Sequence, residues 1–61
     1  MKLIIGNSYV LVIDVCGKAL TYTATIEGLD GNDVIFTDKY GKKMTYNQKY
    51  IVSSQEIDND N

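Results

Sequence analysis

At 61 residues, with no histidine and a single cysteine, Cys16, the chain has room for one domain and excludes an intrachain disulfide and a Cys/His metal cluster. Its formal net charge of −2 argues against a dedicated nucleic-acid protein, whose affinity rests on neutralising phosphates. That total conceals an asymmetry: residues 1–38 carry two lysines against five acids, residues 39–55 carry Lys39, Lys42, Lys43 and Lys49 with no acid, and residues 56–61 carry three acids.

Alternation at period two, carried by β-branched and aromatic residues, runs through the chain and predicts strands rather than helices. Met1–Ile5 is apolar enough for a strand, which Gly6-Asn7 would turn into the next; this first stretch is read as pairing with the last strand to close a barrel. Ser8–Val15 is the first clear strand, with Tyr9, Leu11, Ile13 and Val15 on one face and Val10, Val12 and Asp14 on the other. Both faces are mostly apolar, so cover on both sides is expected. Cys16-Gly17-Lys18 reads as a turn. Ala19–Glu27 alternates cleanly, with Leu20, Tyr22, Ala24 and Ile26 against Thr21, Thr23, Thr25 and Glu27. Threonines suit an exposed strand face, where the branched side chain fits the pleat and the hydroxyl stays wet.

Gly28–Asp33 supplies residues that tolerate positive φ and predicts a hairpin connection. Val34–Lys39 follows as a strand with Val34 and Phe36 inward. A turn over Asp38–Lys42 comes next. In it Gly41 takes the left-handed position and the Asp38 carboxylate accepts the N–H of Tyr40 or Gly41. Lys43–Asn47 is a short strand, Asn47–Tyr50 a single helical turn, and Ile51–Ser54 a last strand that extends toward Ile57. Residues 58–61 form a polar tail with nothing to bury, so the domain is placed at residues 1–57.

No apolar run approaches the length of a membrane span or a signal segment, and the lone thiol suits a reducing compartment; together these predict a soluble cytoplasmic protein with no membrane contact. Five short strands with tight connections predict an all-β fold, a small five-stranded Src-homology-3-like or Sm-like barrel. The stretch from Val10 to Ser54 resembles the Sm-like fold, the Hfq branch in particular. The residues that carry the likeness are Val15-Cys16-Gly17, Ala24-Thr25-Ile26-Glu27, Leu29-Asp30, Val34-Ile35-Phe36 and Met44-Thr45-Tyr46. It departs from that family where Asn47 and Gln48 stand in place of a lysine and a histidine. Thr23 or Ala24 stands where a glycine would bend the second strand. The resemblance implies a barrel; the departures count against RNA binding and ring assembly. The same layout fits Src-homology-3-like modules, including small proteins of viruses and mobile elements.

Nothing in the chain assembles catalytic chemistry. Ser8, Ser53 and Ser54 have no base to activate them, Cys16 has no histidine beside it, and there is no phosphate-cradling glycine loop. Asp30-Gly31-Asn32-Asp33 has the composition of a calcium loop but neither its roughly twelve-residue span nor its terminal glutamate, and reads as a plain turn. The expectation is therefore a non-enzyme with no cofactor and no metal. The candidate site is Lys39, Tyr40, Lys42 and Lys43 with Tyr46, Lys49 and Tyr50: tyrosines for stacking or an interface groove, lysines for phosphates. The bland alternative is that Tyr46 fills the core and the lysines solvate a hairpin. The function expected is a binding or assembly module acting through a protein partner or self-association as a homo-oligomer. The alternative is a regulator that binds RNA or single-stranded DNA through the 39–50 patch.

Overall fold

The computed structural model describes residues 2–57. Within them the elements are β1 (Ser8–Val15), β2 (Lys18–Asp30), β3 (Asp33–Asp38), β4 (Lys43–Asn47), a 3-10 turn η1 (Gln48–Tyr50) and β5 (Ile51–Glu56). The polar tail at 58–61 lies outside the described residues. All five strands are antiparallel neighbours in one sheet, in the order β4-β3-β2-β1-β5. The expected all-β class is thus observed. The sheet is not closed: among the described residues no ladder joins β4 to β5, so the barrel expected from the sequence is not formed by hydrogen bonding.

β2 holds the sheet together because its two halves serve different partners. Lys18–Thr25 pairs with β1, and Ala24–Asp30 pairs with β3, so only Ala24 and Thr25 have strand partners on both sides. A strand shared in this way lets the sheet coil. The inner faces of β1, β2, β3 and β5 supply the buried core, Tyr9, Leu11, Ile13, Ala24, Ile26, Val34, Phe36 and Ile51. No helix or second sheet among the described elements covers that face. Leu11, Ile13, Ala24 and Phe36 are nevertheless completely buried, so the sheet must wrap around its own face. The extents of 37 × 22 × 22 Å fit a coiled sheet, whereas a flat one would be thin in one direction.

Two bulges make this inner face continuous. Between Ile26 and Gly28 the register with β3 shifts, leaving Glu27 as the extra residue. Simple alternation from Ile26 would send Leu29 to the far side; the extra residue places it opposite Val34, at the end of the inner face, where it remains 46% exposed. The same happens in β5, where the register shifts between Val12 and Ile13: Ile13 pairs with Ile51, Val12 with Ser53, and Val52 is left over. Ile51 is thereby buried to 6% exposure while Val52 stands 65% exposed. Bulges also sharpen local twist, which suits a sheet that must curl.

Three differences from the sequence reading follow. The strand bends at Glu27-Gly28 rather than at Thr23 or Ala24, and Gly28–Asp30 belongs to β2, leaving only Gly31-Asn32 as the turn. Gly31 alone of that pair has positive φ, 59°, the sign pattern of a type II′ turn. Residues 2–7 form no strand and no backbone ladder with β5, although the Asn7 side-chain amide donates to Glu56 Oε2 at 2.9 Å. They lie beside β2, with Gly6 N–H donating to the Ile26 carbonyl at 2.8 Å and Ile26 N–H to the Asn7 carbonyl at 3.0 Å. The paired hydrogen bonds of Gly6 and Asn7 with Ile26 hold the segment against β2 instead. Finally, the outer face of β1 is only half covered: Val10 and Val12 are half-buried.

Candidate functional site

Each of the seven candidate residues takes its position from β4 and its flanks. The hairpin before β4 is fixed by Asp38. Its Oδ1 accepts the N–H groups of Tyr40 and Lys42, each at 2.9 Å, while its carbonyl accepts Gly41 N–H at 3.0 Å. Gly41 sits at φ 84°, as expected for the left-handed position. The carboxylate reaches Tyr40 and Lys42, not Gly41 as one sequence alternative had it. This rigid turn pushes Tyr40 into solvent at 82% exposure, with the Lys39 ammonium 5.3 Å from its ring centroid. Lys42 and Lys43 lie exposed beside it.

Beyond β4, Asn47 caps η1 through its side-chain oxygen, which accepts Lys49 N–H at 3.0 Å. Gln48 N–H donates to the Asn32 carbonyl at 2.7 Å, tying η1 to the β2–β3 turn. Lys49 and Tyr50 emerge from η1, with the Lys49 ammonium 5.2 Å from the Tyr50 ring centroid.

The seven residues therefore do not make one patch. Lys39, Tyr40, Lys42 and Lys43 gather at one end of β4, while Lys49 and Tyr50 stand at the other. The extended strand from Lys43 to Asn47 spans the gap between the two groups, about 14 Å. Tyr46 belongs to neither: it packs on the inner face, stacked on Phe36 with centroids 6.1 Å apart, and 6.1 Å from Tyr22. The register of the β3–β4 ladder decides this, because Tyr46 pairs with the buried Val34.

Tyr46 keeps one side partly open. Together with Asp14, Val15, Cys16 and Tyr50 it lines a hollow of about 350 Å³ between the β1–β2 turn and η1. The Tyr22 and Tyr46 hydroxyls are 3.5 Å apart, a long contact for such a pair. That neighbouring hydroxyl, with partial burial adding to it, raises the Tyr22 phenol above the ordinary tyrosine value. Sequence reasoning placed Asp14 and Val15 only by strand face, because nothing local signals that η1 returns to meet the β1–β2 turn.

No group of three or more His, Cys, Asp or Glu side chains among the described residues is placed to hold a metal ion. Cys16 is exposed in the left-handed region at φ 53°. No described helix is long and apolar enough to cross a membrane. Comparison with family models, curated proteins and solved structures gives no match to the chain.

Proposed function

We propose that this chain is a non-catalytic binding and assembly module that associates through the open edges of its sheet. The observation that carries the reading is the strand order, which among the described residues leaves β4 and β5 each with one unpaired side. At the β3–β4 ladder Asp38 N–H meets the Lys42 carbonyl, and Gln48 N–H continues the same phase beyond the strand. Alternation then directs the backbone groups of Lys43 and Thr45 away from β3. At β5, Ile57 N–H meets the Ser8 carbonyl, so Ser54 and Glu56 direct theirs away from β1. Such rows of unpaired donors and acceptors are templates for another strand. The β4 edge begins at Lys43 beside further lysines and the β5 edge ends at Glu56, which favours a head-to-tail contact between copies.

The likeness to small five-stranded barrels stays part of this proposal, supported by a curled sheet whose two end strands are joined by one 3-10 turn. Sedimentation equilibrium at micromolar concentration tests the assembly. Oligomers are expected, and Thr45→Pro should dissociate them while leaving the fold intact, because the lost N–H points outward. A parent protein that stays monomeric throughout overturns the reading.

A specific observation supports a second reading, a single-stranded RNA or DNA contact at the β3–β4 hairpin tip: Tyr40 is 82% exposed amid Lys39, Lys42 and Lys43. Stacking on Tyr40 and phosphate contacts from the lysines would supply the affinity. Labelled single strands titrated at low and high salt should then lose affinity by a logarithmic slope of roughly 0.7 per neutralised phosphate. No binding at about 50 mM salt, where such contacts are strongest, removes this reading.

A further inference from the structure

The hollow between the β1–β2 turn and η1 lies at the end of β4 away from the hairpin tip, and its lining has a distinct chemistry. Two tyrosine rings, Tyr46 and Tyr50, and the Val15 side chain provide apolar and aromatic walls; the one acid is Asp14. Asp14 Oδ1 accepts Gly17 N–H at 3.0 Å, and this is the only hydrogen bond of its carboxylate among the described residues. The charge is therefore held in place by the turn. Its remaining lone pairs stay free for a ligand at the rim.

Aromatic rings that line a hollow together with a fixed carboxylate favour a cation there, since the ring quadrupole and the acid act with the same sign. The molecule already shows this on one of these rings: the Lys49 ammonium rests 5.2 Å from the Tyr50 centroid. An unmodified ammonium is strongly hydrated and resists an apolar wall, whereas a methylated one sheds water easily. The hollow is also open, with Tyr50 45% exposed and Cys16 exposed at its mouth, which suits the end of a side chain better than an engulfed small molecule.

We propose that Asp14, Tyr46 and Tyr50 form a recognition site for an N-methylated ammonium group carried on a lysine side chain of a partner protein. The site uses the inward side chain of Tyr46 whereas assembly uses the outward backbone groups of Lys43 and Thr45, so ligand shifts and oligomeric state are read separately. Charge makes the prediction directional. Lys49 competes for the Tyr50 ring, so removing it should help a cation and harm an anion.

The test uses the full chain and amide NMR, with a short trimethyllysine peptide as probe. Matched probes are the unmodified lysine peptide, choline, and 3,3-dimethyl-1-butanol, the neutral carbon analogue of choline. The trimethyllysine peptide should shift resonances of Asp14, Val15, Cys16, Tyr46 and Tyr50 and bind tightest of the four. Asp14→Asn keeps an oxygen for the Gly17 N–H but removes the charge, and should weaken the peptide by about threefold or more. Tyr50→Leu should weaken it similarly, Tyr50→Phe should restore it, and Lys49→Ala should tighten it by about twofold. Equal binding of choline and its neutral analogue overturns the cation assignment, as does weaker peptide binding in Lys49→Ala. Choline binding tighter than the peptide overturns the side-chain source. No shifts at the hollow with any probe overturn the site.

Discussion

The β1–β2 and β3–β4 turns solve the same problem by different means. Each reverses an antiparallel pair and each needs backbone at positive φ. The β1–β2 turn does it in two residues, Cys16 at φ 53° and Gly17 at φ 83°, the signs of a type I′ turn. A cysteine in that region carries a steric cost of about 1–2 kcal/mol that glycine would not. Asp14 steadies the turn through one hydrogen bond to Gly17 N–H. The β3–β4 turn is longer. It places only Gly41 at positive φ and uses the Asp38 carboxylate to hold two backbone N–H groups. One turn therefore retains left-handed strain at a cysteine, and the other avoids it by placing glycine there while a side chain satisfies the backbone N–H groups. The relaxed turn displays Tyr40 and the lysines, and the strained one borders the hollow.

Substitutions sharpen this contrast, and thermal melts read them. Asp38→Ala should be the most damaging, at about 2 kcal/mol, because two N–H groups lose a charged acceptor at once, with solvent recovering part of the loss. Gly41→Ala should cost about 1 kcal/mol or more, since alanine resists φ 84° although nothing within 4 Å blocks a Cβ there. Cys16→Gly should act in the opposite direction and stabilise by about 1 kcal/mol, because relief of the left-handed strain outweighs the extra entropy of an unfolded glycine. A melt of Cys16→Gly at or below the parent would show that the two turns do not differ in strain. Asp14→Ala should be the mildest, about 0.5–1 kcal/mol for one exposed hydrogen bond.

A pH series adds a smaller effect at the Tyr22–Tyr46 pair. The Tyr22 phenol is raised above its ordinary value by the Tyr46 hydroxyl, so ionising it is harder in the folded protein. The stabilisation is complete below the unfolded tyrosine pKa, about 10, and is lost as pH rises through the folded value. Tyrosine absorbance should show one group titrating later than an exposed tyrosine, and Tyr46→Phe should bring it back. No late group in the parent would remove the coupling.

Particular residues show what could be read in advance. Tyr9, Leu11 and Ile13, then Ala24 and Ile26, then Val34 and Phe36, declared their face by alternation alone, because a pleated strand obliges side chains to alternate. Gly41 and Asp38 were legible for an equally local reason: left-handed φ selects glycine, and an acid at a turn start finds backbone N–H groups within reach. The place of Leu29 across from Val34 and the burial of Ile51 were not legible in this way. Each owes its place to a bulge one or two residues away, and a bulge depends on the neighbouring strand rather than on its own sequence.

The candidate site divides along the same line. That Lys39, Tyr40, Lys42 and Lys43 share a hairpin follows from proximity in the chain, so the sequence alone was enough for it. That Tyr46 turns inward, that Lys49 and Tyr50 stand at the far end of β4, and that Tyr50 meets Asp14 and Val15 are matters of register and of how far the sheet curls. So is the separation of β4 from β5, which leaves two open edges where sequence arithmetic suggested closure. Alternation and turn chemistry act over a few residues and are written in the chain. Curl, bulge phase and closure are set by the summed packing of all five strands and exist only once the strands have met.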